Sequence, residues 1–104
     1  MLFYVQMRWN FEGRLSLDEL WDLEWKEAQH AQETVDSGMV KGLYKVAAQP
    51  RVIAIVDVES IEELDRSVYR LPMAEYLDIE AVWALRDYLG FAEDVRKHYK
   101  VQNI

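Results

Sequence analysis

The chain has 104 residues, enough for one domain, and with 51% hydrophobic and 30% charged residues it has a globular composition, neither disordered nor fibrous. Asp and Glu outnumber Lys and Arg by 19 to 12, and the net charge of -7 disfavours nucleic acid and anionic membrane surfaces, which demand a basic face. With no cysteine, disulfides and thiolate metal sites are excluded.

The first residues, "MLFYVQMRWNFEGR", alternate and carry Arg8 early, unlike the unbroken apolar core of a signal peptide. No run approaches the ~18 apolar residues of a membrane span. A cytoplasmic protein is expected. "LFYVQMRWN" (Leu2 to Asn10) has period two, with Phe3, Val5, Met7 and Trp9 on one face and Tyr4, Gln6 and Arg8 on the other, which predicts a strand. After a loop around Gly13, Ser16 opens a helix and Glu19 completes a capping box. Leu17, Leu20, Trp21, Ala28, Ala31 and Val35 form its apolar stripe, and Gly38 is placed to end it in a left-handed conformation.

Two strand-like runs follow, "MVKGLYKVA" and "RVIAIVDV", joined so closely through Gln49 and Pro50 that an antiparallel hairpin is implied. Arg51 then opens a run that is apolar on both faces, as in an inner strand. Whether this polar corner is only a turn or the rim of a site is left open by the residues themselves. Ser60 with Glu63 repeats the capping-box signal before a shorter stripe of Ile61, Leu64, Val68 and Leu71. Pro72 stops that helix by forcing its predecessor out of the helical region. "YLDIEAVW" reads as a fourth strand, and Leu85, Tyr88, Leu89, Ala92, Val95 and Tyr99 predict a last helix, weakened by Gly90.

The order β-α-β-β-α-β plus a C-terminal helix is that of an α+β, ferredoxin-like split unit: one antiparallel sheet with both helices on one face. The other face carries apolar residues, so two copies are expected to pair over it. Residues 1–104 form one domain with 84–104 as an extension.

"MLFYVQM", the "SG" closing the first helix, "DVES" and "LPMAEYLDIE" together resemble the muconolactone isomerase family from about Met1 to Val82. The resemblance implies a dimeric α/β barrel able to assemble into larger rings, with sites inside the barrel near subunit contacts. It also implies a reaction without metal or organic cofactor, in which a double bond moves within a lactone during aromatic-compound catabolism.

A proton shift beside a lactone carbonyl needs a base and a donor or cation for the oxygen that gains charge. At 100° per residue, Glu24 falls within the arc of Leu20, Ala28 and Ala31, and Glu27 at its edge, so both carboxylates look inward, where burial and mutual repulsion raise pKa values. Glu27 matches a glutamate of the family and is the expected base. Glu24 stands where the family has a basic residue and is the expected modulator or second acid. The structural alternative is that both lean outward and pair with Lys26, Lys45 or a strand arginine. Glu27 and His30 have Glu-x-x-His spacing, but a single copy with His30 toward the polar side does not make a metal site.

Tyr4, Gln6 and Arg8 would line the barrel interior, where Arg8 or Arg51 could clamp a substrate carboxylate; the alternative for Arg8 is an intersubunit ion pair with Asp78 or Glu80. Tyr44 and Lys45 face opposite ways on the second strand, so at most one is inside. Trp9, Trp21, Trp25 and Trp83 read as core or interface, or as walls for a flat ligand. Near the Gln49 corner the family implies a tyrosine and an asparagine. Pro50 and Val52 stand there and donate no side-chain hydrogen bond, so Gln49 and Arg51 are the remaining polar contacts, suited to a differently shaped substrate. The expected function is a cofactor-independent isomerase of a small lactone or cyclic carboxylic acid. The alternatives are a ligand-binding or assembly protein of this fold and a cofactor-free monooxygenase-type barrel.

Overall fold

In the computed structural model, which describes residues 1–100, the elements run β1 (Leu2–Trp9), α1 (Leu17–Asp36), β2 (Val40–Lys45), β3 (Arg51–Asp57), α2 (Ile61–Tyr69), β4 (Leu77–Leu85) and α3 (Tyr88–Arg96). One turn of 3-10 helix, Ala74–Tyr76, separates α2 from β4. The strands are antiparallel in the order β2-β3-β1-β4. Each of the first two helices therefore connects parallel strands with a third strand between them, which is the predicted ferredoxin-like unit.

β1 divides the molecule. Phe3, Val5, Met7 and Trp9 are buried beneath the helices, and Tyr4, Gln6 and Arg8 face the other way. The main core joins Phe3, Val5 and Met7 to Ala54, Val56, Val58 and Leu64; a smaller cluster joins Trp9 to Leu20 and Met73. Pairing of β1 with β4 passes from Gln6–Ala81 to Met7–Ile79, leaving Glu80 as the extra residue of a bulge. The bulge turns Glu80 to the open face, where it meets Gln6 and Arg51.

Ser16 caps α1 with a complete box: its Oγ accepts from the Glu19 amide at 3.1 Å and its own amide donates to Glu19 Oε1 at 3.0 Å. Gly38, at φ +85°, closes the helix in the expected left-handed conformation. The second box is only half formed. Ser60 accepts from the Glu63 amide, but the Glu63 carboxylate accepts from Glu59 rather than Ser60. Ser60 is far more extended than Ser16 (φ -152° against -70°), which brings the preceding amide within reach.

Two expectations, on the α1 stripe and on the start of the last helix, need correction. Of the α1 stripe only Leu20 is buried; Leu17, Trp21 and Val35 are exposed, because α1 and α2 stand apart and no second helix covers that face. Of the tryptophans expected in the core or at an interface, Trp9 is in the core, and Trp21, Trp25 and Trp83 are more than half exposed in the single chain. The last helix starts at Tyr88 and not Leu85, which ends β4 opposite Leu2. Asp87 caps it by accepting from the Gly90 amide at 2.9 Å, so the glycine that weakens the helical pattern sits in the capped first turn.

α3 packs largely on its own flanks, through Tyr88 against Phe91, Phe91 against Tyr99, and Arg86 to Asp94 at 2.6 Å. The radius of gyration, 16.9 Å, exceeds the ~13 Å of a compact domain this long, as expected when a terminal helix reaches beyond the sheet. Positions 101–104 of the expected extension lie outside the described residues. Among the described residues, no helix is long and apolar enough to cross a membrane.

Candidate active site

Between α1, α2 and the covered face of the sheet lies a cavity of about 300 Å³. Its floor is apolar, formed by Val5, Met7, Val52 and Ala54, and its walls are Ala28 and Ala31 of α1 and Leu64, Val68 and Leu71 of α2. Such a volume in an apolar surround suits a small ring compound.

Glu27 brings a carboxylate to this wall. Its Oε2 accepts from the Met73 amide at 3.2 Å, a bond that becomes possible because Pro72 ends the α2 segment and turns the chain back toward α1. Burial pushes the Glu27 carboxyl above its usual range, against the opposing pull of the Met73 amide and of nearby His30. One turn earlier, Glu24 is pushed up to about 7, first by burial and then by the Glu27 charge. Glu24 Oε2 is sealed from solvent and has no hydrogen-bond partner. Both carboxylates therefore face inward as the helical wheel predicts, and neither pairs with Lys26, Lys45 or a strand arginine. His30, predicted on the polar side, borders the cavity instead, since the gap between the helices widens the inward arc of α1. Among the described residues no three His, Asp or Glu side chains gather as metal ligands.

The strand residues occupy the opposite face of the sheet. Tyr4 donates to Gln6 Oε1 at 2.7 Å and Gln6 donates to Glu80 Oε1 at 2.9 Å. Arg51 clasps Glu80 through two bonds, at 2.9 and 3.1 Å, and a third guanidinium nitrogen donates to Gln49 Oε1 at 3.1 Å. Arg51 and Gln6 together hold the Glu80 carboxyl below its usual range. Tyr4 stacks on Trp83 with ring centres 5.0 Å apart. Tyr44, opposite Ile53 in the register, is on this open face, while Lys45 lies over Trp9 on the covered side.

Within the chain Arg8 pairs with Glu12 and donates to the Trp9 carbonyl at 3.0 Å. The loop after β1 brings Glu12 back beside it, and Arg51 already occupies Glu80. The corner from Val46 to Pro50 is a turn with Ala48 at φ +61°, and the Pro50 carbonyl accepts from Trp9 to continue the sheet. Gln49 and Arg51 do not border the cavity. The eight candidate residues thus separate into two groups, Glu24 and Glu27 on the helix side and Tyr4, Gln6, Arg8, Tyr44, Gln49 and Arg51 on the other. The sheet between them keeps an arginine of β1 or β3 from reaching a ligand held at Glu27 in the same chain.

The cavity also recruits residues that the sequence patterns do not single out, Arg70 and the Met73 amide. On a wheel of α2 Ser67 stands next to the apolar stripe, whereas Arg70 falls well outside it, at the helix C-cap.

The sequence profile of the muconolactone delta-isomerase family matches residues 1–89. The chain is 29% identical to Muconolactone Delta-isomerase 2 of Acinetobacter lwoffii over 96 residues, 92% of this chain and all of that protein. It is 30% identical to the Muconolactone Delta-isomerase of Acinetobacter baylyi over 82 residues, 79% of this chain and 85% of the other. The crystal structure of muconolactone isomerase superposes with a TM-score of 0.73 at 29% identity, over 84% of this chain and 90% of that one. Fold, sequence profile and relatives agree, and the chain belongs to the muconolactone delta-isomerase family.

Proposed function

We propose that the protein is an isomerase of a small lactone or cyclic carboxylic acid in aromatic-compound catabolism, with Glu27 moving the proton. The observation that carries this reading is the Glu27 carboxylate, partly buried and held by one backbone amide, at the wall of a largely apolar cavity. Burial raises its pKa, so its ionised form is a stronger base than a solvated glutamate. In the reaction, ionised Glu27 takes a proton from a ring carbon conjugated with the lactone carbonyl. The C–H electron pair delocalises onto the carbonyl oxygen as an enolate. The Glu27 carboxylic acid then returns the proton to a different carbon of the conjugated system, the double bond has moved, and the carboxylate is regenerated. No proton is gained or lost overall, so neither a cofactor nor an exchangeable water is required by the balance.

Glu24 tunes this base from one turn away, because its own ionisation adds a like charge beside Glu27. The test is ultraviolet detection of double-bond migration in a panel of five-membered lactones bearing a carboxylate, beginning with muconolactone. Wild type is expected to turn over at least one of them, and Glu27→Gln to lose about a thousandfold in kcat while circular dichroism shows an unchanged fold. A folded Glu27→Gln protein with full turnover would remove Glu27 from the reaction.

A further inference from the structure

An anionic substrate needs a cation near this cavity. Glu27 and Glu63 both bring carboxylates to its wall, and the chain as a whole carries -7, so a carboxylate-bearing ring would be repelled unless a positive group met it. The strand arginines cannot serve, since Arg8 and Arg51 lie across the sheet and are held by Glu12 and Glu80.

Most polar side chains bordering the cavity are already occupied. Thr34 donates to the Ala31 carbonyl at 2.7 Å, Ser67 to the Glu63 carbonyl at 2.8 Å, and Glu63 accepts from the Glu59 amide at 3.0 Å. Among the described residues, what remains is one oxygen each of Glu27 and Glu63, the His30 ring, which is only 4.0 Å from Glu33 in a loose contact, and the Arg70 side chain. Arg14 is taken up by the Asn10 and Glu75 carbonyls, and Arg86 and Arg96 by Asp94 and Glu93. Arg70 is thus the arginine that both borders the cavity and has no hydrogen-bond partner among the described side chains. It caps α2, three residues before the amide that holds Glu27, and both residues line the cavity.

The geometry points to Arg70 as the carboxylate clamp of this site. The substrate class that follows is a small ring carrying one carboxylate, with the ring in the apolar part of the cavity and the carboxylate at the mouth on the guanidinium fork. This assignment rests on the reading of Glu27 as proton carrier and gives the substrate its orientation: the carboxylate end stays outward and the ring carbons face Glu27.

The experiment compares muconolactone with its methyl ester, by calorimetric titration for binding and by ultraviolet absorbance for turnover, in wild type, Arg70→Gln and Arg70→Lys. Wild type is expected to bind the acid about tenfold or more tightly than the ester, the value of a hydrogen bond to a charged group. Arg70→Gln should bring the two to equal affinity, and Arg70→Lys should keep part of the preference, as a point charge without the fork. Because Arg70 is exposed, the thermal melt should not move in either variant. An acid-to-ester ratio unchanged by Arg70→Gln, or absent in wild type, overturns the clamp. Arg70-dependent binding of the acid without turnover leaves the clamp standing and refutes the isomerase reading, whereas turnover with an unaltered ratio does the reverse.

Discussion

Replacing Glu24 with Gln should leave stability unchanged in acid and raise it in mild alkali. In the folded protein this carboxyl titrates at about 7 against an ordinary 4.5, chiefly because it is buried and secondly because Glu27 is near. The folded state therefore holds its proton more tightly than the unfolded chain does. Between those two pH values the folded chain binds more protons than the unfolded one, so wild-type stability from this group is complete below about 4.5 and falls as pH rises through about 7. At 1.36 kcal/mol per pH unit the full displacement corresponds to about 3 kcal/mol. The side chain is only partly buried, so solvent screening reduces this to about 2 kcal/mol.

That is a large share of the 5–15 kcal/mol typical of a domain. Gln keeps the shape and stays neutral, so it imitates the protonated acid at every pH. Urea unfolding of both proteins from pH 4.5 to 8.5 measures the difference directly, and titrating groups other than the coupled Glu27 cancel in it. The expected result is coincidence at the acid end and an advantage of about 2 kcal/mol for Glu24→Gln above pH 8. Parallel curves, with no pH-dependent gap, would show that Glu24 is solvated and that its sealed oxygen carries no electrostatic cost.

Leu20, 1% exposed beneath Trp9 and Met73, should cost about 3 kcal/mol when cut to Ala, read as a lower urea midpoint at unchanged slope. Ser16→Ala removes the acceptor of the complete capping box on α1 and should cost about 1 kcal/mol in the same assay.

The order of elements and the sheet topology are legible in the sequence because three signals coincide: period-two alternation in β1, capping residues at Ser16 and Ser60, and breakers at Gly38 and Pro72. The inward turn of Glu24 and Glu27 is legible for the same reason, since a helical wheel needs no tertiary information. What the sequence hides is separation. Period-two alternation shows that Arg8 and Met7 point apart, but it does not show that α1 and α2 leave a gap on the Met7 side large enough to be the site. That gap exists because no large side chain fills the space above Ala54 and between Ala28 and Leu64, and absences of volume leave no periodic mark. Arg70 is hidden for a related reason. At the end of a helix an arginine usually complements the carbonyl dipoles, and only its place beside Met73 and Glu27 gives it another use.

The division made by β1 has a consequence for how such a protein can change over generations. Odd-numbered positions of the strand belong to the cavity and even-numbered ones to the network of Tyr4, Gln6, Glu80 and Arg51. The bulge at Glu80 pins the register, so the parity of a position is not easily exchanged. Substitutions that reshape the outer surface, and with it any contact the molecule makes there, leave the cavity floor untouched, and the floor can change shape without rewriting the outer surface. One strand of eight residues gives the lineage two independently variable surfaces, joined only by the backbone they share.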